Sequence, residues 1–243
     1  MPSGEAYAPQ IEKEAAWLPY LGKELSLSIT SQVALGQRDS LFPYPWSVNQ
    51  WLEGDILTKE NVDSEVLALE LGNFLNELKE IDASSGPAAG QHNFYRGGEL
   101  QIYNNEVIEG IQYLSEVYDP DKLTALWEAA LRTQWQHSPV WVHGDIAPGN
   151  LLVNTGHLTA VIDFGILGTG DPACDYAMSW SFFDQPSREL FLKTLPCDEG
   201  TRLRAMGWAL WKAIITYHDQ QLLLHQQAVH TISEIMTEYQ SFV

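Results

Sequence analysis

Asp145, Asn150 and Asp163 are the residues whose types and spacing could do chemistry. They lie in one stretch, VWVHGDIAPGNLLVNTGHLTAVIDFGILGTGDPACD, from Val140 to Asp175. An amide oxygen and a carboxylate are hard ligands of the kind Mg²⁺ takes, with phosphate oxygens and water completing its octahedron. Asn150 and Asp163 supply that pair, and Asp145 comes five residues before Asn150. An aspartate so placed can accept a proton from a hydroxyl nucleophile beside the metal. A base followed by an amide and a carboxylate for metal is the arrangement that phosphoryl transfer uses. A buried hairpin with a few polar ends is the plainer reading, and a lone Asp-Phe-Gly would leave it ahead.

The elements between these residues must bring them together. Leu151 to Asn154 and Thr159 to Ile162 are short apolar runs around the turn-like Thr155-Gly156-His157, which predicts a β-hairpin. Pairing Asn154 with Thr159 and Leu151 with Ile162 sets Asn150 opposite Asp163 at the open end of the ladder. Asp145 then sits in the loop that leads into the hairpin.

HGDIAPGN followed by VIDFG resembles the aminoglycoside phosphotransferase family, the kinase-like small-molecule phosphotransferases. Protein kinases usually carry His-Arg-Asp here, whereas Gly144 and Pro148-Gly149 are similar to the antibiotic and metabolite kinases. Only Ile166 to Gly170 separates Gly165 from Asp171-Pro172, and no Ala-Pro-Glu follows, so no long activation segment is expected. The resemblance implies an α+β, protein-kinase-like fold of two lobes. Its N-terminal lobe is expected to be truncated and its C-terminal lobe mostly helical. It implies ATP or GTP as phosphoryl donor, Mg²⁺ as cofactor, and a small-molecule hydroxyl as acceptor.

Further positions follow from the same resemblance. Residues 5–22 read as a helix entered near Pro9 and closed by Gly22. Of its Glu12 and Glu14, the resemblance favours Glu14, which in the family pairs with a phosphate-holding lysine on a preceding strand. That strand and the glycine-rich loop are expected upstream of Met1, since Gly4 stands alone and no Gly-x-Gly-x-x-Gly occurs. Residues 31–37 and 46–52 read as two strands, the second running into a hinge. There, backbone groups of Gln50, Trp51 and Leu52 are expected to bond the nucleotide base. The expected boundary lies near Glu53-Gly54, dividing 1–53 from 54–243.

The whole chain bounds the rest. Its 243 residues, 45% hydrophobic and 19% charged, suit a folded core. A formal charge of −19 argues against nucleic acid or an anionic membrane and favours a cationic acceptor. Glu106, Glu109, Glu116, Asp119, Asp121 and Glu128, on two helices expected within 104–136, are candidates for an acidic wall of the kind antibiotic kinases use. A solvated helix face is the plainer account of them. Cys174 and Cys197 are too few for a disulfide framework. No basic, apolar leader and no membrane-spanning run occurs, so a cytoplasmic location is the expectation. His218, His225 and His230 lack any zinc-ligand pattern.

Val62 to Asp82 is the clearest helix, with Val66, Leu67, Leu71, Phe74, Leu75 and Leu78 as its apolar stripe. Arg96-Gly97-Gly98 could bind an anion through its side chain and amides but reads first as a surface turn, and the resemblance leaves a substrate-side role as the alternative. Asp175 and His143 are expected to steady the loop around Asp145, and the segment from Ser187 onward reads as helices. A non-catalytic relative that binds without phosphorylating competes with the enzyme reading. Macrolides, choline-like amines and amino-alcohols are alternative acceptors.

Overall fold

The computed structural model describes residues 4–242. The first α-helix is α1 (Ala8–Leu21), whose Pro9 lies in the first turn and whose end is closed by Gly22, as the sequence predicts. β2 (Gln32–Gly36) pairs antiparallel with β3 (Trp46–Asn49), Val33 being the extra residue of a bulge, in a hairpin that stands away from the core with Val33, Leu35 and Val48 exposed. The second of these strands stops at Asn49. Gln50 to Gly54 continue as extended chain outside any ladder, because Gln50 N–H turns to the Ser31 carbonyl at 2.8 Å.

The hairpin between Asn150 and Asp163 is β6 (Leu151–Asn154) with β7 (His157–Val161). Its register differs from the expected one. Leu151 faces Val161 and Asn154 faces His157, so the loop contains only Thr155 and Gly156. Both have positive φ, 50° and 85°, the two-residue turn whose twist matches the strands it joins. The ladder slips between Leu152 and Val153, leaving Thr159 as the extra residue of a bulge. As a result Asn150 lies opposite Ile162, whose amide bonds its carbonyl at 2.9 Å, and Asp163 falls one residue past the ladder.

Two short strands extend this sheet in the order β1-β7-β6-β4: β1 (Ser28–Ile29) runs parallel to β7, and β4 (Asp55–Ile56) antiparallel to β6. A second ladder joins β5 (Val140–Val142) to β8 (Gly168–Gly170), so the segments flanking the His143 loop and the Asp163 loop are themselves paired.

Helices pack against the four-stranded sheet and the β5-β8 ladder. In α2 (Ser64–Glu80), Asp63 caps the first turn by accepting from the Glu65 and Val66 amides. Its Glu70 bonds the Leu158 amide and the His157 ring, each at 2.7 Å, pinning the hairpin's turn end. After α3 (Asn104–Tyr113) and α4 (Pro120–Leu131) come the one-turn α5 (Ala173–Tyr176) and α6 (Met178–Ser181), then α7 (Gln185–Thr194), α8 (Glu199–Thr216) and α9 (Leu222–Tyr239). A single buried apolar cluster runs from Leu18 and Ile29 through Trp127, Trp141 and Phe164 to Ile235. Burial of the four full indoles in it, Trp127, Trp141, Trp180 and Trp208, contributes about 1.5–3 kcal/mol or more each. No helix among the described residues is long and apolar enough to cross a membrane.

Candidate active site

Asp145 lies in the loop after β5, and that loop is shaped from below. The Asp175 carboxylate, buried on α5, accepts from the amides of His143 and Gly144, both at 2.7 Å. Burial pushes the Asp175 pKa up, while His143 and the two amides pull it down. Gly144 adopts φ 85°, and a Cβ there would stand 2.8 Å from the Ile166 carbonyl oxygen. Only glycine lets the two loops approach this closely. His143 is fully buried, accepts at Nδ1 from the Asp145 amide (3.1 Å), and therefore donates from Nε2 to the Ile162 carbonyl (3.0 Å). Its ring ties the Asp145 loop to the hairpin end and has no nitrogen left for a substrate.

Asn150 closes a 3₁₀ turn, Pro148–Asn150, that leads into β6. Its Nδ2 donates to the Asp145 carbonyl at 2.8 Å and to Asp145 Oδ2 at 3.2 Å, which leaves Oδ1 as an open acceptor. Asp163 is exposed, adopts φ 63°, and its carboxylate takes no hydrogen bond among the described residues. One amide oxygen and one unanswered carboxylate at the same end of the hairpin form a hard donor set. Mg²⁺ fits it.

A cleft of about 870 Å³ opens beside Asp163. Its wall includes Gln10 and Glu14 of α1, Gln50, Trp51 and Leu52 of the extended segment, and Asp145. Glu14 is buried there with no cationic partner in hydrogen-bond reach among the described residues, and its pKa is raised to about 7, first by burial and then by the Asp163 carboxylate. The neighbouring Lys13 does not pair with it. Lys13 turns to the carbonyls of His92 and Leu167, and burial lowers its pKa to about 8. Gln10 Nε2 is buried without a partner among the described residues. The amides of Trp51 and Leu52 bond no other group within the described chain, and the Trp51 side chain is 80% exposed.

A second cavity, of about 440 Å³, lies on the other side of Asp145. Cys174, Ala177 and Met178 line it from below, and Trp208, Trp211 and Ala228 from α8 and α9. Asp145 is the only carboxylate in that lining. Trp208 Nε1 is buried without a partner among the described residues. Arg96, Asp145 and Lys212 line both cavities.

Arg96 is a correction to the surface-turn reading. Phe94 and Tyr95, both at positive φ, throw its side chain inward, where Nε bonds the Gly144 carbonyl at 3.0 Å. The guanidinium lies 5.1 and 4.5 Å from the Trp208 and Trp211 ring centres. The six acidic residues from Glu106 to Glu128 lie elsewhere. Glu106 accepts from Trp211 Nε1, Asp119 caps α4, Glu128 pairs with Arg132, and none of the six lines either cavity. The sequence gives no local sign of Lys212, which reaches the site from α8.

The chain matches the profile of the APH phosphotransferase enzyme family over residues 1–213. Among solved structures, the GDP and kanamycin complex of APH(2")-IIia is 18% identical with TM-score 0.68, covering 96% of this chain and 84% of that one. The streptomycin-ATP-APH(2")-IIa ternary complex is 17% identical with TM-score 0.61, covering 97% and 84%. The macrolide 2'-phosphotransferase MphH from Brachybacterium faecium is 17% identical with TM-score 0.59, covering 97% and 81%. No curated protein matches the sequence. The expected α+β, kinase-like architecture is thus the one observed, and the chain belongs to the phosphotransferase enzyme family, which transfers phosphoryl groups to hydroxyls.

Proposed function

We propose that the protein transfers the γ-phosphoryl group of ATP or GTP to a hydroxyl of a small molecule, with the nucleotide in the larger cleft and the acceptor in the smaller cavity. The observation that carries this is the position of Asp145 in the wall of both. Asp145 orients the acceptor hydroxyl and takes its proton as the new O–P bond forms and the bond to the β-phosphate oxygen breaks. Asn150 and Asp163 are the residues that would hold Mg²⁺. When bound, the ion neutralises charge on the β- and γ-phosphates. The unengaged Trp51 and Leu52 amides, next to Gln50, bond the base edge, and Glu14 closes the phosphate end of the cleft. The chain divides near Glu53-Gly54, 1–53 with the nucleotide and 54–243 with the catalytic loop, and Gly54 (φ 144°) serves as hinge.

Two acceptor classes have support. The net charge of −19 favours a cationic compound such as an aminoglycoside, the class of two of the neighbours above. The apolar, tryptophan-lined cavity favours a largely apolar alcohol such as a macrolide. Either acceptor would make the enzyme an antibiotic-resistance kinase, working in the nucleotide-containing cytoplasm.

The melting temperature with Mg²⁺ alone, Mg-ATP and Mg-GTP tests the donor site. A nucleotide at a hundredfold excess over its dissociation constant stabilises by about 2.7 kcal/mol, a rise of several degrees. Asp145→Asn should keep that rise and lose nearly all phosphotransfer. A wild-type protein that shows no rise, or that binds and never transfers to aminoglycoside, macrolide or amino-alcohol panels, would instead be the non-catalytic binding relative.

A further inference from the structure

The γ-phosphoryl group must cross the wall shared by the two cavities, and its transition state spreads negative charge over three equatorial oxygens. Catalysis gains most from positive charge already aimed at that point. Among the described residues, only two cations line both cavities, Arg96 and Lys212.

They differ in what they have left to offer. The Arg96 guanidinium is buried and engaged with the Gly144 carbonyl, with the Phe94 carbonyl and Tyr103 hydroxyl (both 3.3 Å), and with two indole faces. It braces the loop. The Lys212 ammonium makes no hydrogen bond among the described residues. Its Nζ lies 4.0 Å from Asp145 Oδ1, with its side chain 55% exposed. An ion pair that open contributes at most about 1 kcal/mol, so a phosphate oxygen can take the ammonium from it.

The backbone under Lys212 is fixed. Trp211 and Ala213 on either side are buried, and α8 is tied to the loop after β8 by Arg204 Nε donating to Asp171 Oδ2 at 2.6 Å. A flexible four-carbon stem on a fixed helix suits a group that must follow a moving phosphoryl.

We infer that Lys212 is a catalytic residue that binds the γ-phosphate at the junction and stays on the phosphoryl group as it passes to the acceptor oxygen. The ammonium donates hydrogen bonds throughout and keeps its protons. On leaving Asp145, it frees that carboxylate to take the hydroxyl proton. The inference rests on the phosphotransferase reading of the cleft.

The test compares wild type, Lys212→Met and Lys212→Arg for binding of Mg-ADP and of the non-hydrolysable Mg-β,γ-imido-ATP, with the guanine pair alongside. A charge-assisted hydrogen bond contributes about 1.5–3 kcal/mol, which is roughly ten- to a hundredfold in affinity. Wild type should prefer the triphosphate by about that factor. Lys212→Met should lose the preference while binding the diphosphate as before, and Lys212→Arg should keep most of it. Slow nucleotide hydrolysis without acceptor should fall with the same variant.

An unchanged preference in Lys212→Met overturns the inference. So does an equal loss of diphosphate and triphosphate binding, which would make Lys212 a support of the cleft. If wild type binds neither nucleotide, the phosphotransferase reading fails and the inference with it.

Discussion

Glu14 and Asp163 are two carboxylates facing one cleft, and their mutual repulsion is part of why Glu14 titrates near 7, after burial itself. Folding raises this pKa above its ordinary 4.5, so the stabilising contribution is fully present below 4.5 and is lost as the pH rises through about 7. The difference amounts to up to roughly 3 kcal/mol. In metal-free protein, Glu14→Gln should therefore raise the melting temperature by an amount that grows between about pH 5 and about pH 8. A gain independent of pH would mean that Glu14 is not charged in the fold. At this scale the sequence was legible where chemistry is carried by neighbours in the chain: Asp145, Asn150 and Asp163 lie within one motif. Lys212 was not legible. It sits in GWALWKAII, where the apolar positions signal a core helix, and only the packing of α8 against the Asp145 loop reveals what its polar face meets.

The apolar runs between Asn150 and Asp163 predict the hairpin as an element but not its register. Apolar runs mark strands but do not count the residues of a turn, and two residues at positive φ made this loop tighter than Thr155-Gly156-His157 suggested. The bulge at Thr159 then restored the facing of the inner residues, so Leu151, Leu152, Val161 and Ala160 are buried. The two-residue strands β1 and β4 were missed because so short a ladder has no period to read. Helix α2 was recovered nearly to its ends because an aspartate cap and a long apolar stripe agree. The turn itself yields a prediction. Thr155 is β-branched and held at φ 50°, which disfavours it, whereas Asn tolerates that region. Thr155→Asn should stabilise the fold by about 0.5–1 kcal/mol and raise the melting point by roughly 1–4 °C. No change, or a loss, would show that the Thr155 hydroxyl's bond to the Asn154 carbonyl outweighs the backbone strain.

Across the whole molecule, the long helices are joined by charge as well as by apolar contact. Glu238 near the end of α9 accepts from Arg188 Nε on α7 (2.8 Å), Arg202 Nε on α8 (2.6 Å) and Trp180 Nε1 (2.9 Å). Both arginines also reach a second glutamate, Glu234 and Glu189, so two guanidinium groups, Arg188's buried, are shared among three carboxylates. Glu238→Ala should cost about 2–4 kcal/mol by leaving two guanidinium groups half-answered. Because α9 carries Leu224, Gln227 and Ala228 into the cavity proposed for the acceptor, the variant should also raise the acceptor KM more than the nucleotide KM. An equal effect on both would place the cluster outside acceptor binding.

The same whole-molecule view gives Trp51 a use apart from chemistry. Of nine tryptophans it alone is exposed among the described residues, and it stands in the cleft wall. Indoles in water emit at longer wavelength than indoles in a core, so the red edge of this protein's fluorescence comes chiefly from one residue. The molecule carries a native optical probe of that cleft, with no dye attached, and its colour reports whether the groove beside Trp51 is wet or filled.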